Sequence, residues 1–253
     1  MEEKKVFYKY QNLGNDFVII DRMSQKTSVD VRKVCDRHFG IGADGVLYLE
    51  EGYTMRIFNP DGSEAEMCGN GALCMAKFLY EKGYVDGREI SLQTKGGEVR
   101  LYLELRGNRV GRVRERMPEP EMEGIKKLDV DGKSTEAFLL SLGNPHAVIF
   151  EDLSAKAERI EEIFNGDINI EFAEIISPSR IKLRVYERGA GFTLACGTGA
   201  CASVFAGYRY KGIADKVEVS LPGGNLEVEV IDNRVYMSSE PAEVFKGEIE
   251  NDC

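Results

Sequence analysis

The sequence predicts an α+β protein made of two pseudo-symmetric copies of one β-rich domain, each a sheet curled around a single apolar helix. Three observations carry this. RIFNPDGSEAEMCGNGA from Arg56 aligns without a gap with RVYERGAGFTLACGTGA from Arg184, at an offset of 128, and in both copies the cysteine lies twelve positions after the arginine. GNDFVIID from Gly14 pairs with GNPHAVIF from Gly143 at an offset of 129, and TKGGEVRLYLE from Thr94 with LPGGNLEVEV from Leu221 at 127, so three blocks recur in one order. Within both copies, short alternating runs rich in β-branched and apolar residues dominate, interrupted once by a run at helical spacing.

In chain order, the runs VFYKY, FVII, VLYLE, EVRLYLE, AVIF, IKLRVYE, VEVSL and LEVEV read as strands between Gly and Asn turns. After each CGxGA the period changes: ALCMAKFLYEKG from Ala72 and ACASVFAGYRYKG from Ala200 read as helices that end in Gly. A helix apolar on most faces must be surrounded, and strands curling around it are the available cover. The polar stretch RERMPEPEMEG, with Pro118 and Pro120, is the best linker. The expected halves are 1–117, joined by the C-terminal segment 242–253, and 118–241.

Composition narrows the function. The 253 residues carry 33 Lys and Arg against 43 Asp and Glu, a net charge of −10, which disfavours nucleic acid or an anionic membrane as partner and favours a small-molecule substrate. No apolar run approaches the ~18 residues of a spanning helix, and Met1-Glu2-Glu3-Lys4-Lys5 lacks an apolar signal core, so a cytoplasmic protein is expected. Six cysteines without a secretion signal argue against a disulfide scaffold. With two histidines, and with Cys68 and Cys74 six apart and Cys196 and Cys201 five apart, the spacing misses that of zinc thiolates, and no metal is expected.

In each CGxGA motif a cysteine precedes glycines that open a helix, placing its sulfur near unbonded backbone N–H groups and the positive end of the helix dipole. That placement is expected to lower the thiol pKa. The glycines let a ligand carboxylate approach the same N–H groups. A pseudo-twofold axis would bring both thiols to one cleft, which suits inversion of a carbon bearing hydrogen: one base removes the proton from one face while an acid supplies one on the other. Sulfurs each ~3–3.5 Å from that carbon stand ~6–7 Å apart, too far for an unstrained disulfide. Elsewhere, Cys74 and Cys201 on the apolar helices read as core, Cys35 and Cys253 carry no motif, Gly96-Gly97 and Gly223-Gly224 read as turns, and Glu2 to Lys5 as a solvated charge run.

Along nearly its whole length the chain resembles the diaminopimelate epimerases, cofactor-independent isomerases of lysine and cell-wall biosynthesis. The resemblance rests on LGNDFVIID from Leu13, RHFGIGADG from Arg37, NPDGSEAEMCGNGA from Asn59, GNPH from Gly143, and RVYERGAG with ACGTGA from Arg184. It implies two barrel-like domains, each around a central helix, with the site in the cleft between them, no cofactor, no PLP and a homodimer. It implies that Cys68 and Cys196 are the acid/base pair interconverting LL- and meso-diaminopimelate. Gly69, Asn70, Gly197 and Thr198 match the cradle for the reacting carboxylate. Asn15, Asn59, Asn144 and Asn169, with Glu187 and Arg188, match the substrate-binding positions, and His146 and Glu187 those that tune the thiols. An arginine can fork onto a carboxylate while amide oxygens accept from an ammonium.

Five positions depart from the family pattern. Gln11 and Asn12 stand where His and Gly are usual, Leu73 where Arg is, Phe192 where Glu is, and Gly45 where some members carry Gln. The paired loss of opposite charges suggests that an apolar contact between Leu73 and Phe192 replaces an ion pair. Substrate tolerance is the other expected consequence. The alternatives are a related lysine- or proline-type racemase on the same architecture, for which Arg188 and the four asparagines would be superfluous, a binding protein without turnover, and a redox-sensing dithiol.

Overall fold

The computed structural model describes residues 5–249; Cys253 and all but Lys5 of the expected charge run lie outside them. The chain runs β1 (Lys5–Asn12), β2 (Asn15–Asp21), α1 (Val31–Cys35), β3 (Gly45–Glu50), β4 (Thr54–Phe58), β5 (Glu64–Ala65), α2 (Gly69–Glu81), β6 (Glu89–Thr94), β7 (Gly97–Arg106) and β8 (Arg109–Arg116). It continues through β9 (Glu121–Val130), β10 (Lys133–Ser141), β11 (Pro145–Ile149), α3 (Ala157–Ile163), β12 (Asn169–Ser177), β13 (Arg180–Glu187), β14 (Gly191–Phe192), α4 (Gly197–Tyr210), β15 (Lys216–Leu221), β16 (Gly224–Ile231), β17 (Arg234–Ser239) and β18 (Ala242–Ile249). Contacts divide it into two compact units, residues 1–115 with 239–253, and 116–238.

In the first unit the strand order is β18-β1-β2-β3-β4-β6-β7-β8, with β2/β3 and β4/β6 parallel and the other neighbours antiparallel. In the second it is β9-β10-β11-β12-β13-β15-β16-β17, with β11/β12 and β13/β15 parallel. The orders coincide position by position. The returning strand β18 stands beside β1 as β9 stands beside β10, so the last strand completes the first copy. Parallel neighbours need a crossover, and helices supply them: α1 and α2 in the first unit, α3 and α4 in the second.

Helix α2 touches β1, β2, β3, β4, β6, β7 and β18, and α4 touches β10, β11, β12 and β16. Residues 70–76, Phe78 and Leu79 of α2 are buried, as are residues 199–207 of α4. Cys74 and Cys201 are therefore core residues, as expected, and burial raises the Cys74 thiol pKa. The turns are also as expected: Gly97 and Gly224 sit at φ +117° and +140° at the close of two-residue hairpins.

The short helices α1 and α3 were not legible as periodic runs. α1 is only five residues long and is started by Asp30, which accepts from the backbone N–H groups of Arg32 and Lys33. Each covers the second face of its sheet. Val34 and Cys35 pack with Phe7, Val18, Ile20, Val46 and Tyr48, and Ala157 and Ile160 pack with Ala147, Ile149, Ile170 and Phe172. Residues 17–21 of β2 are consequently buried without alternation, the pattern of a strand covered on both faces.

One buried group has no counterpart in this packing. Glu115, opposite Leu101 in β7, is 1% exposed; its Oε2 has no hydrogen-bond partner, and burial pushes its pKa up to about 7. Its folded pKa exceeds its unfolded value, so its contribution is fully present below the unfolded pKa and is lost as pH rises through about 7. Glu115→Gln is therefore expected to stabilise the protein at pH 8 by about 1–3 kcal/mol and to leave stability at pH 4 nearly unchanged, read by urea unfolding at both pH values. Destabilisation at pH 8 would show that the carboxylate is wanted in its ionised form.

Candidate active site

In the first unit, β1 and β2 are joined by Leu13 and Gly14, at φ +54° and +81°, in a two-residue turn that sets Asn12 opposite Asn15. Cys68 occupies the N-cap of α2 with extended backbone, φ −147° and ψ 114°, and no side chain caps the helix. Its Sγ lies 3.8 Å from Asn15 Oδ1. Asn70 donates to the same oxygen at 3.2 Å, so the expected residues Asn15, Cys68 and Asn70 form one group beside Gly69. The second motif glycine permits close approach of α2 to β3: a Cβ on Gly71 would stand 3.2 Å from a Leu47 methyl. Asn59 belongs to a separate cluster, exposed in the turn after β4, where it donates to Ser63 Oγ at 3.0 Å.

Outside the expected set, Asn15 donates to Asp44 Oδ2 at 2.8 Å, and Asp44 accepts from Arg37 at 2.6 Å. Arg37 also meets Asp16 at 2.6 Å, and Lys9 meets it at 2.5 Å. Burial raises the Asp16 pKa, but hydrogen bonds from Arg37 and Lys9 outweigh it and hold the carboxyl at about 2. Arg37 and Asp44 both lie in RHFGIGADG, a motif whose residues had no role assigned from sequence.

In the second unit Cys196 N-caps α4, also with extended backbone. Its Sγ accepts from Gly199 N–H at 3.4 Å and lies 3.4 Å from Thr198 Oγ1. Asn144 donates to Thr198 Oγ1 at 3.3 Å, and Asn144 Oδ1 faces His146 Nε2 at 3.0 Å. His146 Nδ1 meets Glu171 Oε1 at 2.6 Å, both side chains being fully buried. Asn144, His146, Thr198 and Cys196 thus form one relay anchored on Glu171. Glu171 was not singled out from the sequence, although a carboxylate amid the consecutive buried positions of β12 calls for a buried partner. It also crowds the helix start: a Cβ on Gly199 would stand 2.8 Å from Glu171 Oε1.

The expected lowering of the thiol pKa by the helix terminus is not met at Cys196. Burial, then the carboxylates of Glu187 and Glu171, push it up to about 12, outweighing the hydrogen bonds of Thr198 and Gly199. Glu187, its own pKa raised by burial, accepts from Thr193 at 2.5 Å. Asn169 Oδ1 accepts from the Arg188 backbone N–H at 3.0 Å, bracing the strand end that carries this exposed arginine. Among the described residues no carboxylate pairs with the Arg188 guanidinium, and no group of three His, Cys, Asp or Glu is placed to hold a metal ion. Among the same residues no helix is long and apolar enough to cross a membrane.

The duplication also revises the reading of Phe192. Arg56 and Glu64 pair at 2.8 Å in the first unit, and the positions 128 residues later are Arg184 and Phe192. There the Arg184 guanidinium lies 4.3 Å from the Phe192 ring centroid, and Phe192 also packs edge-on against Tyr186. Phe192 thus replaces a carboxylate facing Arg184 by a cation–π contact, while Leu73 is fully buried in α2. Phe192 is thereby accounted for within its own unit. Gly45 has a local reason too: a Cβ there would stand 2.8 Å from the Phe58 carbonyl oxygen.

Among solved structures, the chain is similar in fold to a hydroxyproline epimerase from Agrobacterium vitis, with a TM-score of 0.71 at 12% identity, covering 100% of this chain and 95% of that one. It is likewise similar to a probable proline racemase from Agrobacterium radiobacter, with a TM-score of 0.72 at 14% identity, covering 98% and 93%. Sequence similarity is much stronger to proteins of one description. Diaminopimelate epimerase of Moorella thermoacetica is 40% identical, covering 96% of this chain and 98% of its own, and that of Picosynechococcus is 42% identical with the same coverage. A chloroplastic diaminopimelate epimerase of Oryza sativa is 39% identical, covering 95% of this chain and 79% of its own. The family model described as diaminopimelate epimerase matches residues 7–122 and 138–244. With the two halves, the paired CGxGA helices and these matches together, the chain belongs to the diaminopimelate epimerase family.

Proposed function

We propose that the protein is a diaminopimelate epimerase that inverts one α-carbon by passing protons through Cys68 and Cys196, without PLP. The observation that carries the reading is that each motif cysteine N-caps the enclosed helix of its own unit, with a polar relay at its sulfur. An α-proton is a weak acid, and its removal leaves charge that spreads onto the α-carboxylate. The backbone N–H groups of Gly69 and Asn70 and of Gly197 and Thr198 are unbonded donors at positive helix ends, suited to that charge. One sulfur removes the proton as thiolate and the other returns one as thiol. The roles exchange for the opposite isomer, so the chemistry requires both sulfurs to address one carbon from opposite faces.

The rest of the substrate is read by groups that carry no chemistry. Arg188, exposed and without a carboxylate partner among the described residues, is suited to fork onto the distal carboxylate, and Asn15, Asn59, Asn144 and Asn169 offer amide groups for the distal amino acid head. His146 stands between Glu171 and the Asn144 amide that reaches Thr198, so it is suited to tune Cys196 through that hydroxyl, while the carboxylates of Glu187 and Glu171 raise the proton affinity of Cys196. The reading extends to a cytoplasmic homodimer serving lysine and peptidoglycan precursor synthesis, on the strength of the family membership.

Cys68→Ala and Cys196→Ala are each expected to lower turnover by roughly a thousandfold, because one base cannot serve two faces; chiral chromatography of the LL and meso isomers reads the effect. Wild-type turnover in either variant removes that cysteine from the mechanism. Arg188→Lys keeps the charge but loses the fork, so KM is expected to rise by about tenfold or more while kcat changes less. An unchanged KM would exclude Arg188 from substrate contact.

A further inference from the structure

The Cys68 group contains a hydrogen-bond relay whose direction is set at one end. Asp44 is a carboxylate clamped by Arg37, and it can only accept. Asn15 must therefore turn its Nδ2 toward Asp44, at 2.8 Å, which turns its Oδ1 inward to Asn70 and Cys68. Asn70 in turn spends its Nδ2 on Asn15, so its Oδ1 must accept, and the donor is Asn12 Nδ2 at 2.8 Å. Asn12, fully buried, then has only Oδ1 left, and Ser239 Oγ donates to it at 2.8 Å. Asn12 is one of the positions at which this chain departs from its family, and its side chain closes the relay from the far end.

We propose that Asn12 and Asp44 are positioning residues that together hold the Asn15 amide so that Cys68 faces a hydrogen-bond acceptor and not a donor. An acceptor beside the sulfur favours the S–H form, which suits Cys68 to deliver a proton. The proposal rests on the assignment of Cys68 and Asn15 to the active site, but its direction rule is a property of the fold and is testable without substrate.

Asn12→Asp preserves shape but cannot donate. It obliges Asn70 to turn its Nδ2 to residue 12 and its Oδ1 to Asn15 Oδ1, acceptor against acceptor, because Asp44 still pins Asn15. Adding Asp44→Asn lets the relay run backwards, with the residue-44 amide donating to Asn15 Oδ1 at the loss of the 3.2 Å bond from the Asp16 N–H, and Asn15 presenting Nδ2 to Cys68. Melting temperatures of Asn12→Ala, Asn12→Asp, Asp44→Asn and the Asn12→Asp/Asp44→Asn double variant test this, together with the rate of iodoacetamide alkylation of Cys68 read by peptide mass spectrometry. The expected pattern is that Asn12→Asp melts below Asn12→Ala, and that Asp44→Asn lowers the melting temperature alone but raises it in the Asn12→Asp background. Cys68 in the double variant should alkylate about tenfold faster than in the wild type, since a donor beside sulfur favours thiolate. A filling role for Asn12 also lets Asn12→Asp melt low, because a buried carboxylate costs desolvation, but it predicts no rescue by Asp44→Asn. Additive losses in the double variant, or an unchanged alkylation rate, would overturn the proposal. If the variants show the melting and alkylation pattern but the wild type does not epimerise diaminopimelate, the relay stands and the assigned reaction falls.

Discussion

Enclosing a helix that is apolar on most of its faces is the constraint on which each half of this protein depends. A helix such as α2, buried along residues 70–76 and touched by seven strands, cannot stop short of full cover, and the sheet must bend around it. Full cover leaves the helix start as the place where polar groups remain to be satisfied, since the first backbone N–H groups of a helix have no partner within it. Cys68 and Gly69, half-buried, stand at that start, as Gly197 and Thr198 do in the second copy. The CGxGA motif is thus a consequence of the fold as much as of the chemistry: its glycines admit the approach of Leu47 or Glu171 on one side and leave backbone donors open on the other.

On this duplicated frame the two halves have diverged where the polar groups lie. The β3 position occupied by Leu47 corresponds to Glu171 in β12, because Phe17 faces Gly45 as His146 faces Asn169. One sulfur accordingly faces an amide relay anchored on Asp44, and the other an imidazole relay anchored on Glu171. Asp44 is a carboxylate held by Arg37, so it fixes the sense of the bonds that follow it, whereas in the second half the imidazole ring stands between Glu171 and the Asn144 amide with an acceptor oxygen at each ring nitrogen. The substitution of Glu64 by Phe192 at the matching position shows the same divergence, with an ion pair in one half and a ring face in the other.

Much of this was legible in the sequence because a duplication is read by alignment and not by propensity. Cys68, Cys196 and their glycines stood out as the element repeated with the least change, and the apolar helices behind them announced their own burial. What was not legible depends on tertiary register. Asp44 and Glu171 act through residues distant in sequence, and nothing in GADG or NIEF says which amide will face them. The sign of the Cys196 shift was missed for the same reason: a helix terminus is visible in sequence, whereas two carboxylates folded against it are not. The contact of Phe192 with Arg184 was legible only through the duplication, because the first copy holds the matching pair in Arg56 and Glu64.

The claim on which the functional account turns is that thiols alone move the α-proton of diaminopimelate. The most direct measurement is proton NMR of LL-diaminopimelate in heavy water with the reduced protein and no added PLP. The account predicts loss of the α-proton signal at one centre, with deuterium entering as the meso isomer forms. Folded, reduced protein that leaves the α-proton signal intact would contradict it.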